Sequence, residues 1–207
     1  MIVERQVYEV HPGCIEKAAQ LMREEDDATR ALVKSSSPPA RIYSSMFGSQ
    51  LQVAIEWTRE SQEKMDADWA AWFGSGRTAA FFDAWAQVST RYLAHELRPV
   101  FAASTVEGER NGIAVRWTCE HNVRQEQVMA DLWKQWIADS GTYTARVLMP
   151  WYGATSHVIL EVEYADLADY ETRMAVWASQ EGIEGFWEAF NPTFRSGGMT
   201  EVWRLMP

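Results

Sequence analysis

Arg41-Ile42-Tyr43-Ser44-Ser45-Met46-Phe47-Gly48-Ser49-Gln50-Leu51-Gln52-Val53-Ala54-Ile55-Glu56-Trp57 decides the fold, because Arg146 to Val162 repeats its pattern 105 residues later. Gly48 answers to Gly153, Val53 to Val158, Ile55 to Leu160 and Glu56 to Glu161, and the same offset carries Trp72 to Trp177 and Phe81 to Phe186. A spacing held through a hairpin and the helix after it marks two copies of one unit. Each copy reads strand, helix, strand, strand, helix, strand. Two crossovers of the right-handed kind then give a four-stranded antiparallel sheet with both helices on one face.

Outward from the hairpin, Ile2 to Val10 reads as the first strand, stopped by His11-Pro12-Gly13. Ile15, Ala18, Ala19 and Met22 recur at helical spacing. A helical region after Glu60-Ser61 is split at Gly74-Ser75-Gly76, and Arg91 to Val100 closes the unit. The second copy runs from the Ile113 to Glu120 strand, through a helix carrying Trp133 and Trp136, to one long helix from Ala168 to about Phe190 and a last strand, Met199 to Met206. The expected division is residues 1–102 for the first unit, 103–111 for a linker and 112–207 for the second.

Composition narrows the function. The formal net charge of −10 opposes nucleic acid and anionic membranes, which need clustered Lys and Arg. Two cysteines without ligand spacing point to neither a disulfide scaffold nor a metal site. With no signal-like N-terminus and no long apolar run, a cytoplasmic location is expected. Eleven Trp, seven Tyr and eight Phe supply an aromatic interior.

Strand alternation sorts the side chains. Val53, Ile55 and Trp57 form the helix-facing set, leaving Glu56 on the opposite face, with His157 and Glu161 in the copy. A hairpin centred between Gly48 and Ser49 sets Arg41 against Glu56, and its equivalent sets Arg146 against Glu161. Arg41, Tyr43, Arg146 and Arg116 are expected on the same helix-free face, and Glu4, Gln6 and Tyr8 are matched to Ala114, Arg116 and Thr118. The fourth strands leave two readings open, with either Glu96 and Arg204 or His95 and Trp203 turned inward. Both Arg–Glu pairs can be structural struts or catalytic groups.

The chain resembles the dimeric α/β-barrel superfamily, and within it the NIPSNAP-like proteins. The resemblance rests on Glu4-x-Gln6-x-Tyr8 before His11-Pro12-Gly13, on Phe47-Gly48, on the Trp-rich second helix and on Leu97-Arg98-Pro99. In the second half it rests on Tyr152-Gly153, Val158 to Glu161, Tyr170-Glu171 and Glu201 to Leu205. The chain departs from the family at Gln6, where a basic residue is expected. The resemblance implies an α+β protein, two tandem ferredoxin-like units forming an α/β barrel within one chain, with a cavity between the sheets. Members include cofactor-free monooxygenases, haem proteins, isomerases and cyclases.

The leading expectation is an enzyme without a nucleotide cofactor, performing oxygenation, cyclisation or isomerisation on a small hydrophobic, aromatic or polyketide-like molecule. In this reading Glu161 and His157 form the base, Arg146 and Arg116 stabilise oxyanion charge, and Tyr8, Tyr43, Arg41 and Glu56 hold the substrate. A haem-binding member, using His157 or His95, is the alternative. A third is a non-catalytic binding or assembly protein. A homodimer is a further expectation.

Overall fold

The computed structural model describes residues 1–35, 37–47, 51–106, 112–140, 143–151, 156–195 and 198–207. The expected turn residues Gly48-Ser49 and Tyr152 to Ala154, Gly197, and residues 107–111 of the expected linker lie outside the described residues. Two compact units emerge: Met1–Leu97 with Arg204–Pro207, and Arg98–Trp203.

The first unit contains β1 (Ile2–Val10), α1 (Ile15–Val33), β2 (Arg41–Ser45), β3 (Gln52–Arg59), α2 (Gln62–Gly74), α3 (Thr78–Trp85) and the start of β4 (Ser89–Ser104). β3 pairs antiparallel with both β1 and β2. Ala18, Ala19 and Met22 of α1 close over Ile42, Val53 and Ile55 of the sheet, and Trp85 and Val88 complete this core. α1 ends where Lys34 turns left-handed (φ 49) and its N–H returns to the Ala31 carbonyl, a common helix stop. Ser61 starts α2 by accepting the Lys64 N–H at 3.2 Å.

The second unit contains the end of β4, then β5 (Ile113–Glu120), α4 (Glu126–Ser140), β6 (Ala145–Leu148), β7 (His157–Tyr164), α5 (Leu167–Ala178), α6 (Ile183–Phe190) and most of β8 (Met199–Leu205). β7 pairs with β5 and β6, and β6 also pairs with β4, through a register shift between Val100 and Ala102. By hydrogen-bonded neighbour the strands run β1-β3-β2-β8-β5-β7-β6-β4 and close on themselves as an eight-stranded antiparallel barrel, the fold class expected.

Three boundaries differ from expectation. Ala103 and Ser104 extend β4 instead of opening the linker, because Ala103 pairs with Arg146 and Ser104 with Ala145. Arg204–Pro207 returns to the first unit, with the Met206 N–H bonding the Ile42 carbonyl at 2.8 Å. The long helix expected from Ala168 to Phe190 is two helices, because Gly182 sits at φ +91, which breaks the right-handed run before α6.

Gly182 and Gly185 give a paired test, since an added Cβ meets nothing within 4 Å at either. Gly182→Ala lowers unfolding free energy in urea by about 1 kcal/mol through left-handed strain. Gly185→Ala, inside α6, raises it by about 0.5–1 kcal/mol. Shifts of the same sign would contradict this reading of the helix break.

Candidate functional site

The pairing of β1 with β3 sets Glu4 against Trp57, Gln6 against Ile55 and Tyr8 against Val53. Directly opposed residues share a face, and Tyr8, Ile55 and Trp57 belong to the core beneath α1 and α3. Glu4, Gln6 and Tyr8 therefore point toward the helices, and the expected placing of Tyr8 on the helix-free face with Tyr43 is corrected. They border a cavity of about 260 Å³ between the sheet and α1, α2 and α3, with Trp57, Trp69 and Trp72 among its walls.

Glu4 is the centre of this cavity's chemistry. Only 2% of it is exposed, yet both of its oxygens are engaged. Oε1 accepts from Gln6 Nε2 at 3.0 Å and lies 3.0 Å from His95 Nε2, while Oε2 accepts from Trp69 Nε1 at 3.1 Å. The Tyr8 hydroxyl donates to Gln6 Oε1, completing a chain Tyr8–Gln6–Glu4–His95. Burial, then Tyr92 and Glu4, push the Tyr8 phenol well above its ordinary range, which keeps it a donor at neutral pH. The His95 side chain is 41% exposed, so the chain runs from a half-buried phenol to solvent.

The tryptophans are oriented by carboxylates. Trp57 Nε1 donates to Asp26 at 2.8 Å and Trp72 Nε1 to Glu25 at 2.6 Å. Each indole N–H is thereby satisfied at the edge of the ring. Arg59 is tied to Asp68 at 2.8 Å, both nearly buried.

On the helix-free face the expected registers hold: Arg41 stands opposite Glu56 and Arg146 opposite Glu161. Each carboxylate also faces an arginine from the first strand of its unit, Arg5 and Arg116. Arg5 was hidden in the sequence by matching the first strands one residue out of register. Its Nη1 lies 3.4 Å from Glu56, and the Arg5 and Arg41 guanidiniums stand over the Tyr43 ring at 5.2 and 5.3 Å. In the second unit Glu161 holds Arg146 through Oε1 and Arg116 through Oε2, the latter at 3.3 Å. His157 shares this face but lies four residues along β7, roughly 13 Å away at strand rise. Its Nδ1 is 3.4 Å from Ser156 Oγ, and its carbonyl accepts from Arg98. The expected Glu161–His157 pair is not brought together.

Because Arg5 and Arg116 are equivalent, β1 and α1 correspond to β5 and α4 at an offset of 111 residues. Buried Ala19 and Met22 then fall on buried Ala130 and Trp133. Glu4, Gln6 and Tyr8 are replaced by Val115, Trp117 and Cys119. The second unit has its own sheet–helix cavity, of about 330 Å³, where burial pushes the Cys119 thiol up to about 12.

No family model matches this sequence, and no curated relative is similar to it. Solved structures supply the comparison, and they define a dimeric α/β-barrel fold. A candidate monooxygenase from Fusobacterium nucleatum is 9% identical, with a TM-score of 0.72, covering 100% of this chain and 92% of that one. An anthrone oxidase-like protein is 10% identical, with a TM-score of 0.62 and coverage of 100% and 91%. A heme-binding protein from Thermus thermophilus is 10% identical, with a TM-score of 0.57 and coverage of 100% and 91%.

Haem fits neither sheet–helix cavity. It needs an axial donor and cations for its propionates. The first cavity is bordered by Glu4, Glu25, Asp26 and Asp68, its arginine is tied to Asp68, and His95 turns Nε2 onto Glu4. The described lining of the second contains neither histidine nor a cationic side chain. Among the described residues no group of three or more His, Cys, Asp or Glu is placed to hold a metal ion. No described helix is long and apolar enough to cross a membrane.

Glu161→Gln leaves buried Arg116 and half-buried Arg146 facing a neutral amide and lowers stability by about 3 kcal/mol in urea unfolding. Iodoacetamide at pH 8.5 alkylates half-buried Cys14 while native Cys119 reacts about a hundredfold more slowly, since its thiol is held protonated. Equal labelling of the two, followed by peptide mass spectrometry, would contradict the burial assigned to Cys119.

Proposed function

We propose that this chain is a small-molecule enzyme whose reaction takes place in the sheet–helix cavity of the first unit. It removes a proton from a hydrophobic aromatic substrate and lets the resulting anion react with dioxygen, without a nucleotide cofactor. The observation that carries this reading is a buried carboxylate, Glu4, set among tryptophan rings and joined to a partly exposed histidine, His95. Glu4 is the base, and His95 relays the proton to solvent. Once Glu4 has taken the substrate proton, Nε2 of the Nδ1–H tautomer of neutral His95 accepts it, and the ring releases the Nδ1 proton to water. Tyr8 holds Gln6, which holds Glu4, and either donor can turn to a developing substrate oxyanion.

The stoichiometry is that of an oxygenase whose substrate is its own reductant. One O₂ is consumed, one oxygen atom enters the product as a carbonyl, and the other leaves as water with the two hydrogens lost from the substrate carbon. The solved structures of similar fold that are described as a candidate monooxygenase and as anthrone oxidase-like support this choice among the chemistries the fold hosts. A NIPSNAP-like placement within that fold, a cytoplasmic location and a homodimer built on exposed Phe73 and Phe82 belong to the same proposal. Arg41, Glu56, Tyr43, Arg116, Arg146 and Glu161 are assigned to bracing the sheets, and His157 carries no catalytic role.

Anthrone in air-saturated buffer tests the reading with an oxygen electrode. Wild-type protein takes up one O₂ per anthrone, and Glu4→Gln lowers kcat about a hundredfold or more with little change in KM. His95→Ala loses rate that added imidazole restores. Wild-type activity in Glu4→Gln would end the assignment.

A further inference from the structure

The indoles that wall the first unit's cavity have their hydrogen-bonding edges turned onto anions. Trp57 Nε1 donates to Asp26 at 2.8 Å, Trp69 Nε1 to Glu4 at 3.1 Å and Trp72 Nε1 to Glu25 at 2.6 Å. An aromatic ring is positive at its edge and negative over its face. With each of these N–H edges engaged by a carboxylate, the negative faces are the strongest electrostatic feature that the rings retain. Neighbouring rings stand at steep angles, 67° between Trp57 and Trp69 and 78° between Trp69 and Trp72, with centroids 6.1 and 5.4 Å apart. A guest in the cavity therefore meets indoles in more than one orientation.

The charges around these rings are unevenly matched. Asp68 is held by Arg59 at 2.8 Å and Lys64 at 3.2 Å, and Glu25 by Arg77 at 3.0 Å. Asp26 and Glu4, 6% and 2% exposed, have no arginine or lysine partner among the described residues. Asp26 accepts from the Ala40 N–H and from Trp57, both neutral. Glu4 accepts from Gln6 and Trp69, and His95 beside it carries charge only when protonated. Buried carboxylates without a countercharge favour a cation nearby, because their attraction strengthens as water is excluded. The second unit shows that the frame does not require them. At the 111-residue offset Glu4, Glu25 and Asp26 become Val115, Trp136 and Ile137, and no charged side chain is among that cavity's described lining. Sheet and helices close over an aromatic-walled cavity without these acids, so the acids belong to what the first cavity binds.

We propose that the first cavity takes an aromatic organic cation, a molecule whose ring system carries a quaternary or protonated nitrogen. The positive ring lies against the indoles, within the field of Asp26 and Glu4. A neutral guest gains apolar contact alone, and an anion would be desolvated against negative walls. As a statement of substrate class this rests on the oxygenase reading, in which Glu4 takes a proton from a substrate carbon. A positive nitrogen in the same ring system eases that loss by stabilising the electron pair left behind. The cavity's preference for positive charge does not depend on turnover.

N-Methylquinolinium and 1-methylnaphthalene share a shape and differ by the positive charge of a ring nitrogen, and 1-naphthoate supplies a negative counterpart. Calorimetry on the wild-type chain measures their affinities, and ¹⁵N-indole labelling locates the site. N-Methylquinolinium binds about tenfold or more tightly than 1-methylnaphthalene and shifts the Trp57, Trp69 and Trp72 signals saturably, while 1-naphthoate binds more weakly than either. The ratio persists in about 0.5 M NaCl, which screens attraction to exposed acidic groups far more than attraction inside a cavity. Glu4→Gln/Asp26→Asn brings the ratio below about threefold. Equal affinities, a ratio lost in salt, or shifts confined to the second unit's tryptophans would each overturn the proposal. The wild-type titrations decide the matter even if the double variant does not fold. A cation preference without oxygen uptake would remove the oxygenase reading and keep the binding site, and oxygen uptake without the preference would do the reverse.

Discussion

Burying an Arg–Glu–Arg contact in the sheet of each unit fixes everything else. Glu56 stands between Arg5 and Arg41, and Glu161 between Arg116 and Arg146. Glu56 and Glu161 are each 1% exposed. A slip of one residue in either hairpin or first strand would carry every side chain to the other face and leave these charges facing apolar neighbours. Correct register is what sends Glu4, Gln6 and Tyr8 beneath the helices.

The halves share a skeleton and differ in chemistry. Around the first cavity, acidic side chains take the indole hydrogens, and one of them is wired outward through His95. Around the second, indoles have replaced carboxylates and the remaining polar groups are hydroxyls, an amide and a thiol held protonated. One frame thus carries a carboxylate-rich interior and an apolar, indole-rich one.

Much of the frame was legible in the sequence. The 105-residue offset and the hairpin arithmetic located β2, β3, β6 and β7 and both Arg–Glu pairs, because strand alternation is a strict period of two. The site was less legible. The offset changes to 111 across β1 and α1, since α1, at 19 residues, is longer than the 15-residue α4 and the connection after it is longer as well, and a match at 110 pairs Glu4 with Ala114 instead. That single residue hid Arg5 and put Tyr8 on the wrong face. His95 could not be assigned because both parities of β4 looked equally apolar. The break at Gly182 was missed because a lone glycine is tolerated in many helices, and only its backbone angle shows that this one is not helical.

The return of Arg204–Pro207 to the first unit governs the order in which the molecule can be assembled. The edge of β2 at Ile42 waits for Met206, which the ribosome delivers only after the second unit has been synthesised. An N-terminal half that emerges ahead of residue 206 therefore carries an open strand edge, and residues 204–207 act as a latch whose removal would bare that edge again.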